Sequence, residues 1–520
     1  MTAIASTPVP SSVIVREDQP DADRVWVWSG WLAVVSVALV AVRWVALSWN
    51  ATDLFFDEAQ YWAWSEEPAF GYYSKPPLIA WVIGAATTMC GAGEACIRAP
   101  SALLYAFASF GVFAAAYQLY GARTAFLCAV VFATLPGVSL SAGIISTDVP
   151  LLAAWAWALA AFIALVRGAG WWSAIALGVA LGVGLNAKYA MAYFVLCALV
   201  YVTANRDMRW VLGSGRFWVA IAIGLASILP NIMWNFENGF ATVSHTADNA
   251  KWGGQLGNPG KAAEFFAAQF GVFGPILFAG LLIVGWRAWR DGLNERDALL
   301  LCFAVPVIVI VTVQAFLSRA HANWAAVSYV AAAILVTAVM VRDRDWRWFG
   351  ASLGLHTALL IALAVALAFA GRFALPGGAD PFKRTLGWEA LAGEIDATLA
   401  AQVSDGMPIR SVLTDSRSMS AELLYYLRGR LSDPEIALSA WRGVGPPKDH
   451  FTMTRPFRAR PQTPVLYVAT RNAQRDRIVE QFSTVRRIGT VTVPAGQTTQ
   501  RSADLFVLDG YKPAVASDPQ

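Results

Sequence analysis

The chain has 520 residues, 57% of them hydrophobic and only 14% charged, with 23 Trp and a net charge of +4. Ordinary soluble domains carry about 25% charged residues, so this composition excludes a water-soluble fold for most of the chain. The small net charge gives no reason to expect a nucleic-acid partner.

Residues 1–24 are polar and Pro-rich and read as a disordered cytoplasmic tail. The first apolar run starts near Val25, is long, and is followed by no small-residue cleavage site, so it reads as a retained span and not a signal peptide. Further runs long enough to cross lie at 98–119, 124–142, 148–166, 171–186, 189–204, 217–234, 264–287, 297–316, 322–341 and 348–370. The stretch 77–91 is short and follows Pro76 and Pro77.

Charge places that stretch. If 77–91 lies at the surface or dips in and out, one side of the membrane collects Arg16, Arg24, Arg123, Arg167, Arg206, Arg209, Arg216, Arg287, Arg290, Arg296, Arg342, Arg344 and Arg347. The other side holds Lys75, Arg98, Lys188, Lys251, Lys261 and Arg319, sparse and mixed with acids. That is a positive-inside pattern. If 77–91 crossed, every later loop would change sides and the pattern would fail repeatedly. The reading is an α-helical polytopic membrane protein of about 11 spans, or roughly 12 to 13 if the boundaries fall otherwise. Its N-terminus is then cytoplasmic, and residues 49–97, 143–148, 186–189, 235–263 and 317–321 share the outer face.

From about Gly371 the long apolar runs stop and charges become frequent. SVLTD, TPVLYVAT and ADLFVLDG read as short strands, and AELLYYLRGR and RDRIVEQF as helices. The domains expected are therefore the tail 1–24, a transmembrane catalytic domain 25–370 carrying outer loop 49–97, and an outer soluble α/β domain 371–520. No repeat of fixed period is evident. Cys128, Cys197 and Cys302 fall within spans and read as packing residues. Cys90 and Cys96 flank CGAGEAC on the oxidising side, where a disulfide and two free thiols are both open readings.

The chemistry-bearing residues gather on the outer face. Asp57 and Glu58 follow two Phe in DLFFDEAQYWAW. A carboxylate there can accept a proton or hold a cation. Lys75, in GYYSKPPL, is held extended by the two prolines and suits a lipid phosphate, although a snorkelling Lys has the same signature. Asp148 opens a span, where an acid also simply complements the helix dipole. Lys188 lies in LNAKYA, His245 in a long outer loop, and Arg319 and His321 in SRAHANW, where they could bind phosphate or sugar with Trp324 stacking on a ring. Asp57, Glu58 and Asp148 are the carboxylates a divalent metal would use, if one is required. No P-loop, dinucleotide-binding glycine pattern, HExxH motif or Cys/His cluster occurs, so nucleotide-driven chemistry is not indicated. A lipid-carried substrate suits an outer face without cytoplasmic nucleotide donors.

FFDEAQYWAW, then GYYSKPPLIAW, IRAPSALL and ISTDVPLL, resemble the bacterial branch of the protein-mannosyltransferase family, over roughly residues 25–340. That branch includes aminoarabinose lipid A transferases and rhizobial lipopolysaccharide transferases. The resemblance implies a GT-C fold and an inverting glycosyltransferase in the bacterial inner membrane. It implies a polyprenyl-phosphate sugar donor, hexosyl or pentosyl, and lipid A or another envelope glycan as acceptor. It implies that Asp57 is the base that activates the acceptor, with Glu58 as companion and Asp148 as the second outer acid. Tyr61 matches a loop Tyr, Lys75 the Lys that holds the donor phosphate, and His245 a His-containing loop. Gln60 and Ser74 depart from the aminoarabinose pattern, which has Arg and Glu there, and favour the broader rhizobial-type group.

Two other classes compete. A transporter or flippase of a lipid-linked sugar would place ionisable residues near the bilayer midplane and often in repeats. Here the charges gather at one outer interface and no repeat is evident, with Arg43, in the outer half of the first span, as the main exception. A non-catalytic scaffold would leave the acid–lysine loop unexplained.

Overall fold

The computed structural model describes residues 24–250, 256–431, 436–443, 445–459, 463–470 and 472–512. The expected tail before residue 24, Arg16 within it, and Lys251 lie outside the described residues. The chain forms two compact units. One comprises Met1–Ser48, Lys75–Val82 and Arg98–Ala364, and the other Trp49–Ser74, Ile83–Ile97 and Val365–Gln520. Most of the first outer loop thus groups with the C-terminal residues, whereas composition had assigned it to the membrane domain.

The first unit is helical. Six described helices are long and apolar enough to span: Val25–Ser48, Glu94–Tyr120, Asp148–Val166, Gly215–Glu237, Glu295–Leu317 and Trp346–Ala368. The apolar helices Leu78–Cys90, Ala122–Thr134, Trp171–Ala187 and Ser328–Arg342 are shorter. Asp148–Val166 and Ser328–Arg342 are buried along almost their whole length and form the middle of this unit. Val25–Ser48 and Trp346–Ala368 instead expose Trp26, Trp31, Val37, Trp348 and Ile361, the signature of lipid-facing surface.

Two expected spans are corrected. Residues 264–287 form no single straight helix, because Pro259–Val272 and Pro275–Asp291 meet at 115°. Gly274, between them, has φ of 94°, a conformation glycine adopts without penalty, and Pro275 then starts the next helix where its missing N–H is not needed. The expected span 124–142 also breaks, at Leu135, where Pro136 opens a short helix to Ser141. Periodicity sees only continuous apolar character across both breaks.

Small residues let helices approach closely where lipid offers no hydrophobic drive between them. A Cβ added at Gly182 would lie 2.5 Å from Ser227 Cβ, and one at Gly178 would lie 2.7 Å from Ile223 Cβ. Trp171–Ala187 and Gly215–Glu237 therefore touch almost backbone to backbone. Elsewhere in the unit, buried Asp297 accepts hydrogen bonds from the Tyr120 hydroxyl at 2.7 Å and from Arg342 at 2.7 Å.

The second unit contains a five-stranded sheet of β1 Ser411–Thr414, β2 Ala437–Ala440, β3 Val465–Ala469, β4 Phe482–Pro494 and β5 Gln500–Tyr511. The order is β2-β1-β3-β5-β4. β1 runs parallel to β2 and β3, and β5 pairs antiparallel with β3 and β4. β3 is buried at every residue, as expected for a central strand covered on both faces. Leu413, Tyr467, Phe482, Phe506 and Leu508 share its core with Trp441. The three sequence-read strands are β1, β3 and β5. β4 went unread because STVRRIGTVTV carries charge on a largely exposed ribbon, and β2 because ALSA is too short to show alternation.

Candidate active site

The helix Phe56–Ser65 carries the acidic pair. Glu58 is 2% exposed, and its carboxylate accepts the Phe55 N–H at 2.9 Å, closing the start of its own helix. Asp57, one residue earlier, turns outward and is about one-third exposed. Adjacent carboxylates on a helix face different ways, which leaves Asp57 as the solvent-accessible member of the pair.

Asp57 is met by a residue that sequence reading missed. The Arg417 guanidinium pairs with Asp57 Oδ1 at 3.0 Å and donates to Gln60 Oε1 at 3.4 Å. Arg417 also lies over the Phe56 ring, 4.8 Å from its centroid. It is the first residue of helix Arg417–Tyr426, which Ser416 caps through the Met419 N–H. A cation in a first turn opposes the helix dipole. That misplacement was the one signal in the sequence that Arg417 serves something outside its own helix.

The rest of the loop is fastened to the C-terminal residues of the same unit. Trp64 is fully buried and stacks on Tyr72 at 4.6 Å and 3°, with the His450 ring edge-on to both. Trp62 meets Tyr425 at 5.0 Å. The Leu54 N–H donates to the Tyr426 hydroxyl at 2.8 Å, and that hydroxyl donates to Glu94. The Trp388 N–H donates to Asp53 at 2.6 Å, the Tyr73 hydroxyl to the Pro447 carbonyl at 3.0 Å, and Arg455 pairs with Glu67. Tyr61 is buried 5.2 Å from Trp64, in ring packing. Cys90 and Cys96 are joined in a disulfide with Cα atoms 5.9 Å apart, which settles the open reading.

Burial shapes the ionisable groups here. His450 is pushed down to about 3 by burial, then by the neighbouring Arg455 charge, so its ring is neutral. Burial pushes the Tyr72 hydroxyl up to about 12. Asp53 is raised by burial, with the Trp388 N–H opposing. Glu422, whose carboxyl oxygens are buried without a hydrogen-bond partner, is raised well above the usual carboxylate range, first by burial and then by Asp53.

In the other unit, the expected outer segments 143–148 and 186–189 meet the start of the expected span 322–341 at Asp148. Lys188 Nζ lies 2.7 Å from one carboxylate oxygen, and Asn323 Nδ2 donates to the other at 2.6 Å. Both oxygens are thus engaged. Tyr189, next to Lys188, donates to Asn231 at 2.7 Å, and Asn235 reaches Tyr189 at 3.2 Å. Lys75 is half-buried just before the Pro76–Pro77 turn. His245 pairs with Asn249 at 3.0 Å within its own helix. His321 packs against Trp324 at 5.4 Å, and Arg319 Nε is buried without a hydrogen bond. Arg43 is buried and donates to the Ala133 carbonyl at 2.6 Å. Among the described residues no three His, Cys, Asp or Glu side chains are grouped to hold a metal ion. Asp57, Glu58 and Asp148 are engaged by Arg417, by a helix end, and by Lys188 with Asn323.

Known proteins share this organisation. Residues 74–234 match the model of the dolichyl-phosphate-mannose-protein mannosyltransferase family. A lipid A galacturonosyltransferase, RgtD of Rhizobium johnstonii, is 36% identical over 430 residues, covering 81% of this chain and 87% of the relative. The chain belongs to the protein-mannosyltransferase-like GT-C glycosyltransferases. Two structures of ArnT from Cupriavidus metallidurans share the fold of this glycosyltransferase. The apo form aligns with TM-score 0.65 at 16% identity, covering 92% of this chain and 98% of ArnT. The form bound to undecaprenyl phosphate gives TM-score 0.63 at 18% identity, covering 95% and 100%. The GT-C glycosyltransferase is a membrane enzyme, and nothing in these comparisons favours a transporter.

Proposed function

We propose that this glycosyltransferase moves galacturonic acid from a polyprenyl-phosphate donor to lipid A, at the outer face of the bacterial inner membrane. The observation that carries this reading is the 36% identity to a lipid A galacturonosyltransferase across most of both chains. The bound undecaprenyl phosphate of the ArnT structure supports a polyprenyl-phosphate donor. The distribution of Arg between loops supports a cytoplasmic N-terminus and an outer C-terminal domain.

In the proposed reaction an acceptor hydroxyl oxygen attacks the anomeric carbon. The bond from that carbon to the phosphate oxygen breaks, its electron pair leaves with the polyprenyl phosphate, and the configuration inverts. Asp57 takes the hydroxyl proton. Its exposure beside buried Glu58 makes it the carboxylate of the pair that a substrate can reach. Lys75 stabilises the departing phosphate, where charge develops in the transition state. Lys188 and Asp148 form a balanced pair that shapes the outer face, with Asn323 fixing its orientation.

The test is mass spectrometry of lipid A and polyprenyl lipids from a deletion strain, complemented with wild type or Asp57→Asn. Loss of galacturonate from lipid A, accumulation of the donor, and rescue by wild type alone are expected. Removing a general base lowers turnover by about 100-fold or more. Equal rescue by Asp57→Asn would remove the base assignment, and unchanged lipid A in the deletion strain would remove the acceptor.

A further inference from the structure

Two guanidiniums converge on the start of the Phe56–Ser65 helix. Arg384 lies 4.7 Å from the Phe55 ring centroid and 5.6 Å from that of Phe56, and Arg417 lies 4.8 Å from Phe56. The two rings are themselves 4.2 Å apart. Stacking on aromatic faces leaves the guanidinium edges free to donate. Asp57 pairs with Arg417, while Arg384, among the described residues, has ring contacts and no ion pair. The start of helix Arg417–Tyr426 adds the positive end of its dipole.

The pair is built to exchange. Asp57 and Arg417 are 34% and 33% exposed, and ion pairs that open to water are weak. Arg417 uses one nitrogen on Asp57, and its second reaches only Gln60 at 3.4 Å, a long contact. A guanidinium with one good bond and one poor one is under-used, since its planar fork matches an oxyanion with two parallel bonds.

We propose that Arg417, assisted by Arg384, binds an oxyanion of the substrate, and that Asp57 stands in for that oxyanion when the site is empty. This rests on the galacturonosyl reading, under which the transferred sugar carries a carboxylate on the same ring as the reacting carbon. Binding draws Arg417 off Asp57 and frees that carboxylate to take the acceptor proton. A neutral sugar leaves Asp57 tied. Arg417 is thus a specificity-determining residue that couples recognition of charge to release of the base. An acceptor phosphate is the other source of the same chemistry.

The test uses full-length enzyme purified in detergent and compares kcat and KM for wild type, Arg417→Gln, Arg417→Lys and Arg384→Gln. Polyprenyl-phosphate galacturonic acid is set against the neutral polyprenyl-phosphate galactose, and phosphorylated against dephosphorylated lipid A. Binding of both donors is measured in parallel, so the comparison does not depend on turnover of the neutral one. In Arg417→Gln the charged-over-neutral donor preference is expected to fall by about 10- to 100-fold, the range for loss of a hydrogen bond to a charged group. Arg417→Lys should restore part of it, and Arg384→Gln, a surface change with little risk to folding, should shift it in the same direction. If the donor preference holds and the preference for phosphorylated lipid A falls instead, the oxyanion is the acceptor's phosphate. If neither preference moves in any variant, Arg417 only tethers the loop and the inference is overturned. Wild-type enzyme that transfers galactose but not galacturonic acid would instead overturn the proposed function, and the acceptor comparison would still judge Arg417.

Discussion

Glu422 and His450 show how burial turns single residues into pH-dependent elements of the fold. Glu422 is buried with no hydrogen-bond partner, facing Asp53, Glu58 and Glu94 as like charges and Arg501 as the opposing one. Its pKa is higher in the folded than in the unfolded chain, so the folded state holds the proton more tightly. The stability this adds is complete below the ordinary carboxylate range and is lost as pH rises through the raised value. Glu422→Gln removes the titrating proton, so it should flatten that loss and leave the variant more stable than wild type at neutral pH. Thermal melts of both proteins between acid and neutral pH would check it, and parallel curves would refute it. His450 acts in the other direction. Its folded pKa of about 3 lies below the ordinary 6.5, so stability is full above 6.5 and falls as pH drops towards 3. His450→Phe keeps a ring against Trp64 and Tyr72 and should remove this acid-side loss in the same melts.

At the scale of elements, packing is decided by side-chain size where helices cross. The crossing of Trp171–Ala187 with Gly215–Glu237 has room for no Cβ at Gly182, where Ser227 would lie 2.5 Å away. Gly182→Leu should destabilise the enzyme by about 1–3 kcal/mol through overpacking and lower the yield of folded protein. Gly350→Leu, where an added Cβ meets nothing, is the control. Equal monodispersity of the two variants on size exclusion would show that the crossing is looser than these distances imply. Element existence was legible from the sequence, because apolar length and alternation are local properties. The turn at Phe273 and Gly274 was not. Gly-Pro inside an apolar run is compatible with a kink, a break or a change of direction, and only the neighbouring helices choose among these.

At the scale of the whole molecule, the loop that carries Asp57 depends on residues far along the chain. Arg417, Tyr425, Tyr426, Trp388 and His450 supply its ion pair, hydrogen bonds and ring contacts. Deleting residues 371–520 should therefore reduce transfer by about 100-fold or more, the scale of loss when a catalytic group is misplaced by about 1 Å. Transfer assays in membranes matched for enzyme content would measure it. Full activity after deletion would show that the loop holds its shape unaided.

The sequence by itself determined most of the long apolar helices, the acid–lysine motif of the first loop, three of the five strands and the glycosyltransferase family. Each of these follows from local composition, local periodicity or a contiguous motif. Only the tertiary structure decided that Glu58 caps a helix while Asp57 faces outward to Arg417, that Asp148 is shared by Lys188 and Asn323, and that Cys90 and Cys96 are joined. Gln60 and Arg417 are 357 positions apart, and Asp148 and Asn323 are 175 apart. Contacts at such separation arise from the packing of whole elements, which brings together side chains that no local pattern relates.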